Sequence, residues 1–175
     1  MRLRTLAVLF AAGLAIVGVA VAGINRNWSN HANGAQEVPA RDSQGQAQAI
    51  FHLSKDGTAL EYKLIAANID NVFMAHIHMA TPGVNGPIVV WLYPSTAPVP
   101  GPIGGGRIDS GEIASGTITE ENLVGPLAGH PLSDLLDAMS TGNAYVNLHT
   151  NDGVDGTNTG PGDFPGGEIR ADLTS

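Results

Sequence analysis

Cysteine is absent from this chain, which removes disulfides, thiolate metal ligands and a cysteine nucleophile from its chemistry. A domain built without them depends on its apolar core, and any metal it holds must be bound through nitrogen and oxygen. Basic residues are scarce: 8 Lys and Arg stand against 16 Asp and Glu, a net charge of −8. Such a surface repels phosphate backbones, so nucleic acid is not expected as a partner. The acidic excess itself is read as solubility outside the cell. Also missing are a glycine-rich phosphate loop and a G-x-S-x-G elbow, so nucleotide chemistry and most covalent catalysis have no visible apparatus. No spacing singles out a serine, histidine and aspartate as a trio. Neither an internal repeat nor a linker divides the 175 residues, which suffice for one domain with a real core but hardly for two.

What is present begins with a targeting signal. Arg2 and Arg4 precede an uninterrupted apolar and small-residue run over residues 6–21, and Ala20-Val21-Ala22 is a small-x-small cleavage pattern. This predicts a secretory signal peptide over residues 1–22, a mature N-terminal segment over 23–33 and one domain over 34–175. The other reading is an uncleaved anchor, for which residues 5–24 supply 20 positions, just enough to span a bilayer. Cleavage leaves 6 basic against 16 acidic residues, a net charge of −10, and no membrane association. The product would then be secreted, extracellular or periplasmic, with attachment at the cell surface also open.

The mature chain reads as antiparallel β structure, because 23 Gly and 11 Pro punctuate short alternating segments. In residues 46–53, Ala47, Ala49, Phe51 and Leu53 share a side, as do Leu60, Tyr62 and Leu64 in residues 60–64; Asp56-Gly57 marks the hairpin turn between them. Further strands are expected over 72–79, 88–93, 108–119, 144–150 and 168–173. One helix is predicted from Pro131, with Leu132, Leu135, Leu136 and Met139 on one stripe and Gly142 as its stop. It should lie across one end of a sandwich or barrel. Residues 94–106 and 151–167 are too rich in Gly and Pro to be strands.

Residues 74–79 read MAHIHM, and residues 144–150 read AYVNLHT. Strand alternation puts His76 and His78 on one face, with Phe73, Ala75, Ile77 and Met79 on the other, which is the better core face. The imidazoles then point outward or into a shallow site covered by a loop. The same alternation turns Ala144, Val146 and Leu148 inward and Tyr145, Asn147 and His149 outward. If the two strands adjoin, about 4.8 Å apart, His149 supplies a third nitrogen, and three neutral imidazoles with an open position suit copper or zinc. The plain alternative is a pair of solvated or hydrogen-bonded surface imidazoles.

Other polar residues carry weaker signals. His130 precedes the helix as a loop residue or a fourth ligand, His52 is read as solvated, and His31 sits near the mature N-terminus. Asn151, Asp152, Asp155, Asn158 and Asp163 crowd one loop, but Val154 stands where a calcium loop needs its second ligand, which favours a solvated turn. Glu168 and Arg170 share a strand face and are read as structural, in position to pair with each other or with neighbouring strands.

Taken together, GAQEVPA at 34–40, the stretch 57–92 containing HIH, GNAYVNLHT at 142–150 and FPGGEIRADL at 164–173 resemble the CHRD domain, named after chordin. The loop between NLHT and FPGGEIR is longer than in that family's usual pattern. The resemblance covers nearly all the mature chain and implies an all-β, immunoglobulin-like or superoxide-dismutase-like antiparallel β-sandwich or barrel with one short helix. HIH further resembles the copper strand of copper/zinc superoxide dismutases, with His76, His78 and His149 in matching places, although the zinc-side cluster and the disulfide cysteines of those enzymes have no counterpart. Fold likeness alone does not carry the reaction.

Two functions therefore stand: an exported binding module holding copper or zinc through His76, His78 and His149, or a metal-free adhesion module contacting extracellular protein or matrix. A dismutase-like enzyme is more distant, and a binding role is favoured over catalysis. Export predicts that intact-mass measurement of secreted protein finds a chain beginning at Gly23. A membrane-held form retaining residues 1–22 would establish the anchor instead.

Overall fold

The computed structural model describes residues 26–95, 101, 103–154 and 160–174; the expected signal peptide, with Asp155 and Asn158 of the acidic loop, lies outside them. Eight strands form one antiparallel sheet: β1 (Asn27–Asn33), β2 (Gln46–Leu53), β3 (Leu60–Asp70), β4 (Val72–Met79), β5 (Ile88–Tyr93), β6 (Arg107–Ile118), β7 (Ala144–Thr150) and β8 (Ile169–Asp172). Their order across the sheet is β5-β4-β7-β8-β1-β2-β3-β6. The sheet curls into a nearly closed barrel. Its two edges, β5 and β6, approach without pairing: the Tyr62 hydroxyl of β3, the strand next to β6, donates to the Leu92 carbonyl on β5 at 2.7 Å, and Val124, in the segment after β6, donates its N–H to the Val89 carbonyl.

Alternation fills the barrel. Ala47, Ala49, Phe51 and Leu53 of β2, Leu60, Tyr62 and Leu64 of β3, and Ala144, Val146 and Leu148 of β7 all enter one core, as their spacing predicts. Helix α1 (Leu132–Ser140) seals that core with Leu132, Leu135, Ala138 and Met139, while Leu136 is only partly buried against it. Its first residues lie beside the Gly57–Thr58 turn and Thr119–Glu121, at the end of the sheet where β2 turns into β3. Gly142, at φ 73°, stops the helix. Among the described residues no helix is long and apolar enough to cross a membrane.

Three departures from the sequence pattern have local causes. Residues 27–33, expected to precede the domain, form β1, which pairs with β2 along its whole length; the half-buried Asn30 sits between Trp28 and Ala32 and hides the alternation. β3 runs six residues past the expected Leu64, because a positive φ of 53° at Asn68 resets the parity so that Ile69 enters the core. In β4 a register shift between Val72 and Met74 puts Val72 in the core and turns Phe73 against His149 instead, correcting the inward place expected for it.

Leu135 is fully buried in α1. Leu135→Ala should destabilise the protein by about 2–5 kcal/mol in denaturant unfolding while leaving the β signal in circular dichroism intact. A loss under about 0.5 kcal/mol, the level of surface changes, would mean the helix does not seal the core.

Candidate metal centre

β4 and β7 are neighbours, with His76 opposite Asn147, His78 opposite Tyr145 and Met74 opposite His149. The adjacency that a three-histidine cluster requires is therefore present. His76, His78 and His149 lie on the outer face of the barrel, yet they are only 1%, 8% and 7% exposed, so the shallow covered site, not the solvated surface, is the arrangement found. Their ligand nitrogens all lie within 4.8 Å of one another. Nitrogens on one ion at about 2.0–2.1 Å each stand no more than about 4.2 Å apart, so the spread found is close to that of a bound set.

The orientation of each ring is set from behind. His78 Nδ1 lies 2.9 Å from the Gly86 carbonyl and His149 Nδ1 lies 2.9 Å from the Pro165 carbonyl. A carbonyl only accepts, so both rings carry their proton on Nδ1 and turn the Nε2 lone pair toward the cluster. His149 Nε2 then accepts from His76 Nδ1 at 3.1 Å. His76 Nε2 and His78 Nε2 are buried with no hydrogen-bond partner, which is costly unless something else fills the place.

Burial also sets the charge. Desolvation, reinforced by the neighbouring imidazoles, pushes His76 down to about 2. Desolvation takes His149 to about 4, against the opposing pull of the Pro165 carbonyl, and lowers His78 as well. All three are neutral near pH 7, the form that binds a metal. Aromatic walls complete the enclosure: Trp91 of β5 meets His76 edge-on at 4.3 Å, and Tyr145 stacks on His78 at 4.8 Å with an 8° interplanar angle.

Loops make the cover, and charged residues hold the loops. Buried Arg170 bonds Asp172 at 2.7 Å, donates to the Val84 carbonyl at 2.9 Å and lies 3.5 Å over the Tyr145 ring, anchoring the turn that carries Gly86. A side chain at Gly86 would strike the Met79 carbonyl, so glycine is needed for that turn to approach β4. Buried Glu168 accepts from Ser43 and Thr150 hydroxyls, each at 2.5 Å, and from Gly162 N–H at 2.8 Å, which holds the segment carrying Pro165. The structural reading of Glu168 and Arg170 is right in kind, but each grips its own loop and they form no ion pair with each other.

The remaining histidines stand apart from the cluster among the described residues. Exposed His130 pairs with half-buried Asp134 at 2.8 Å and is not a fourth member of the cluster. His52 is exposed beside Asn27 at 2.7 Å, and His31 is exposed on β1. Asn151 and Asp152 accept local backbone N–H groups at 2.8 Å, as in an ordinary turn. Sequence reasoning missed Glu37, whose buried carboxylate accepts from Asn147 Nδ2 at 2.9 Å; no periodicity marks a loop residue of that kind.

A family model of the CHRD domain matches residues 28–157, and the chain belongs to that family. The matched segment takes in all three histidines and all of β1 but its first residue, and it ends before β8, which the fold nevertheless places between β7 and β1. No curated protein and no solved structure matches the chain.

The lowered histidine pKa values predict an acid-sensitive metal-free protein. Unfolded histidines take up protons near 6.5 while the folded ones stay neutral, so unfolding binds protons between about pH 6.5 and 4 and stability falls as pH falls. Each such histidine contributes up to about 1.4 kcal/mol per pH unit in that window. Glu37, whose carboxyl is raised by desolvation, opposes this, since its protonation favours the fold, but it is one group against three. Thermal melting of chelator-treated protein should show a falling midpoint from pH 7 to pH 5. A flat profile would mean the rings are not buried neutral.

Proposed function

We propose that this chain is an exported CHRD-domain binding protein in which His76, His78 and His149 hold one copper or zinc ion for storage, sensing or structural support. The observation that carries this reading is the convergence of buried imidazole nitrogens whose outer nitrogens are already engaged by the Gly86 and Pro165 carbonyls while His76 Nε2 and His78 Nε2 have no partner. Three imidazoles suit zinc and copper, and the absence of thiolates removes the softer alternatives. Binding is favoured over catalysis because rings no more than 8% exposed leave little surface for a substrate.

Elemental analysis of protein purified without a histidine tag, followed by copper and zinc titration calorimetry, tests the proposal. His76→Ala and His149→Ala should lose most of the affinity, since two imidazoles cannot complete the coordination shell; His52→Ala should bind as the wild type does. Wild-type affinity weaker than about 10 μM, a binding free energy of only roughly 7 kcal/mol, or equal binding by all four proteins, would sink the metal reading and leave the adhesion module in its place.

A further inference from the structure

Resting on the metal reading above, we infer that the Asn147 carboxamide oxygen is a fourth donor of the same centre, making it a three-nitrogen, one-oxygen site selective for divalent zinc or copper over cuprous ion. Asn147 stands directly opposite His76 on the paired strand, is 3% exposed, and its carboxamide lies beside the His78 ring. Its nitrogen donates to Glu37 Oε1 at 2.9 Å. The other Glu37 oxygen accepts the Val38 N–H at 3.3 Å, so the carboxylate serves as an acceptor on both sides. The amide is thereby fixed with its nitrogen toward Glu37 and its oxygen away from it, within reach of His78; because the Gly86 carbonyl holds the His78 proton on Nδ1, that oxygen is buried with no donor.

Three groups in this pocket share one design. His78, His149 and Asn147 each spend their donor on an acceptor behind them, the Gly86 carbonyl, the Pro165 carbonyl and the Glu37 carboxylate, and each therefore offers a lone pair forward. Lone pairs gathered in a buried place, with His76 Nδ1–H the one ring donor among them, are mutually unfavourable until a cation enters. The packing around the amide anchor is equally specific. A side chain at Gly167, which has φ 121°, would collide with Asn147 Nδ2 and Glu37 Oε1, so the loop gives up its own side chain to leave that bond intact.

An amide oxygen is a hard ligand that suits zinc(II) and copper(II) better than copper(I), for which nitrogen donors alone are adequate. Affinities for zinc(II), copper(II) and, under ascorbate, copper(I) should be measured by chelator competition on wild type, Asn147→Leu and the double variant Asn147→Asp with Glu37→Gln. The leucine variant should bind both divalent ions about 10–100-fold more weakly and copper(I) within about threefold of wild type. The double variant, in which the new glutamine can donate to one oxygen of the new aspartate and leave the other where the amide oxygen stood, should bind zinc(II) at least as tightly as wild type. Unchanged zinc(II) binding by the leucine variant overturns the inference and leaves the three-histidine reading standing, whereas wild type that binds no ion overturns both. An equal loss for divalent and cuprous ions means Asn147 only shapes the pocket. Should the leucine variant not fold, the double variant decides alone: retained or tighter zinc(II) binding supports the fourth donor, and weakened binding refutes it.

Discussion

The site depends on desolvation of three imidazoles that lie outside the barrel. An outer sheet face is ordinarily wet, and histidines there would titrate near their usual value and turn freely. Here loops remove the water, so His76 and His149 are pushed down to about 2 and 4 and each ring has to find its partners within the protein. The partners supplied are carbonyl oxygens at Nδ1 of His78 and His149, and they turn the free lone pairs inward. Neutrality, tautomer and direction all follow from the same exclusion of water.

That cover is built by polar and charged residues more than by apolar ones. Arg170 grips the turn carrying Gly86, Glu168 grips the segment carrying Pro165, and Glu37 reaches in to hold Asn147. Arg41 adds a further tie, lying 4.5 Å over the Phe164 ring and donating to the Gly167 carbonyl at 3.3 Å. Buried charges of this kind cost desolvation and are retained where their hydrogen bonds are satisfied. Each of these has named partners, which is why short irregular segments can close over a sheet face without an apolar interior of their own.

Local pattern made most of the strands legible. β2, β4 and β7 fall within the bounds that alternation predicts, because inward positions in them are apolar; β5, IVVWLY, is apolar throughout and is marked by the run itself. β1 was hidden by Asn30 at an inward parity, and the far half of β3 by the positive φ at Asn68. Phe73 changed sides through a register shift, a feature that one inserted residue creates and that no hydropathy pattern reveals.

For the candidate site, the sequence by itself determined that His76 and His78 share a strand face, that His149 has the outward parity on a second strand, and that thiolate chemistry is absent. These follow from local geometry, since side-chain direction along a strand is set by the residue's own backbone. Only the tertiary structure decided that β4 and β7 are neighbours, that the outer face is buried, and that Gly86, Pro165 and Glu37 stand behind the ligand candidates. Pairing order and loop closure bring together groups more than 100 residues apart, 110 for Glu37 with Asn147 and 126 for Arg41 with Gly167. Such contacts depend on the whole sheet closing and on water being excluded, and no local pattern encodes either.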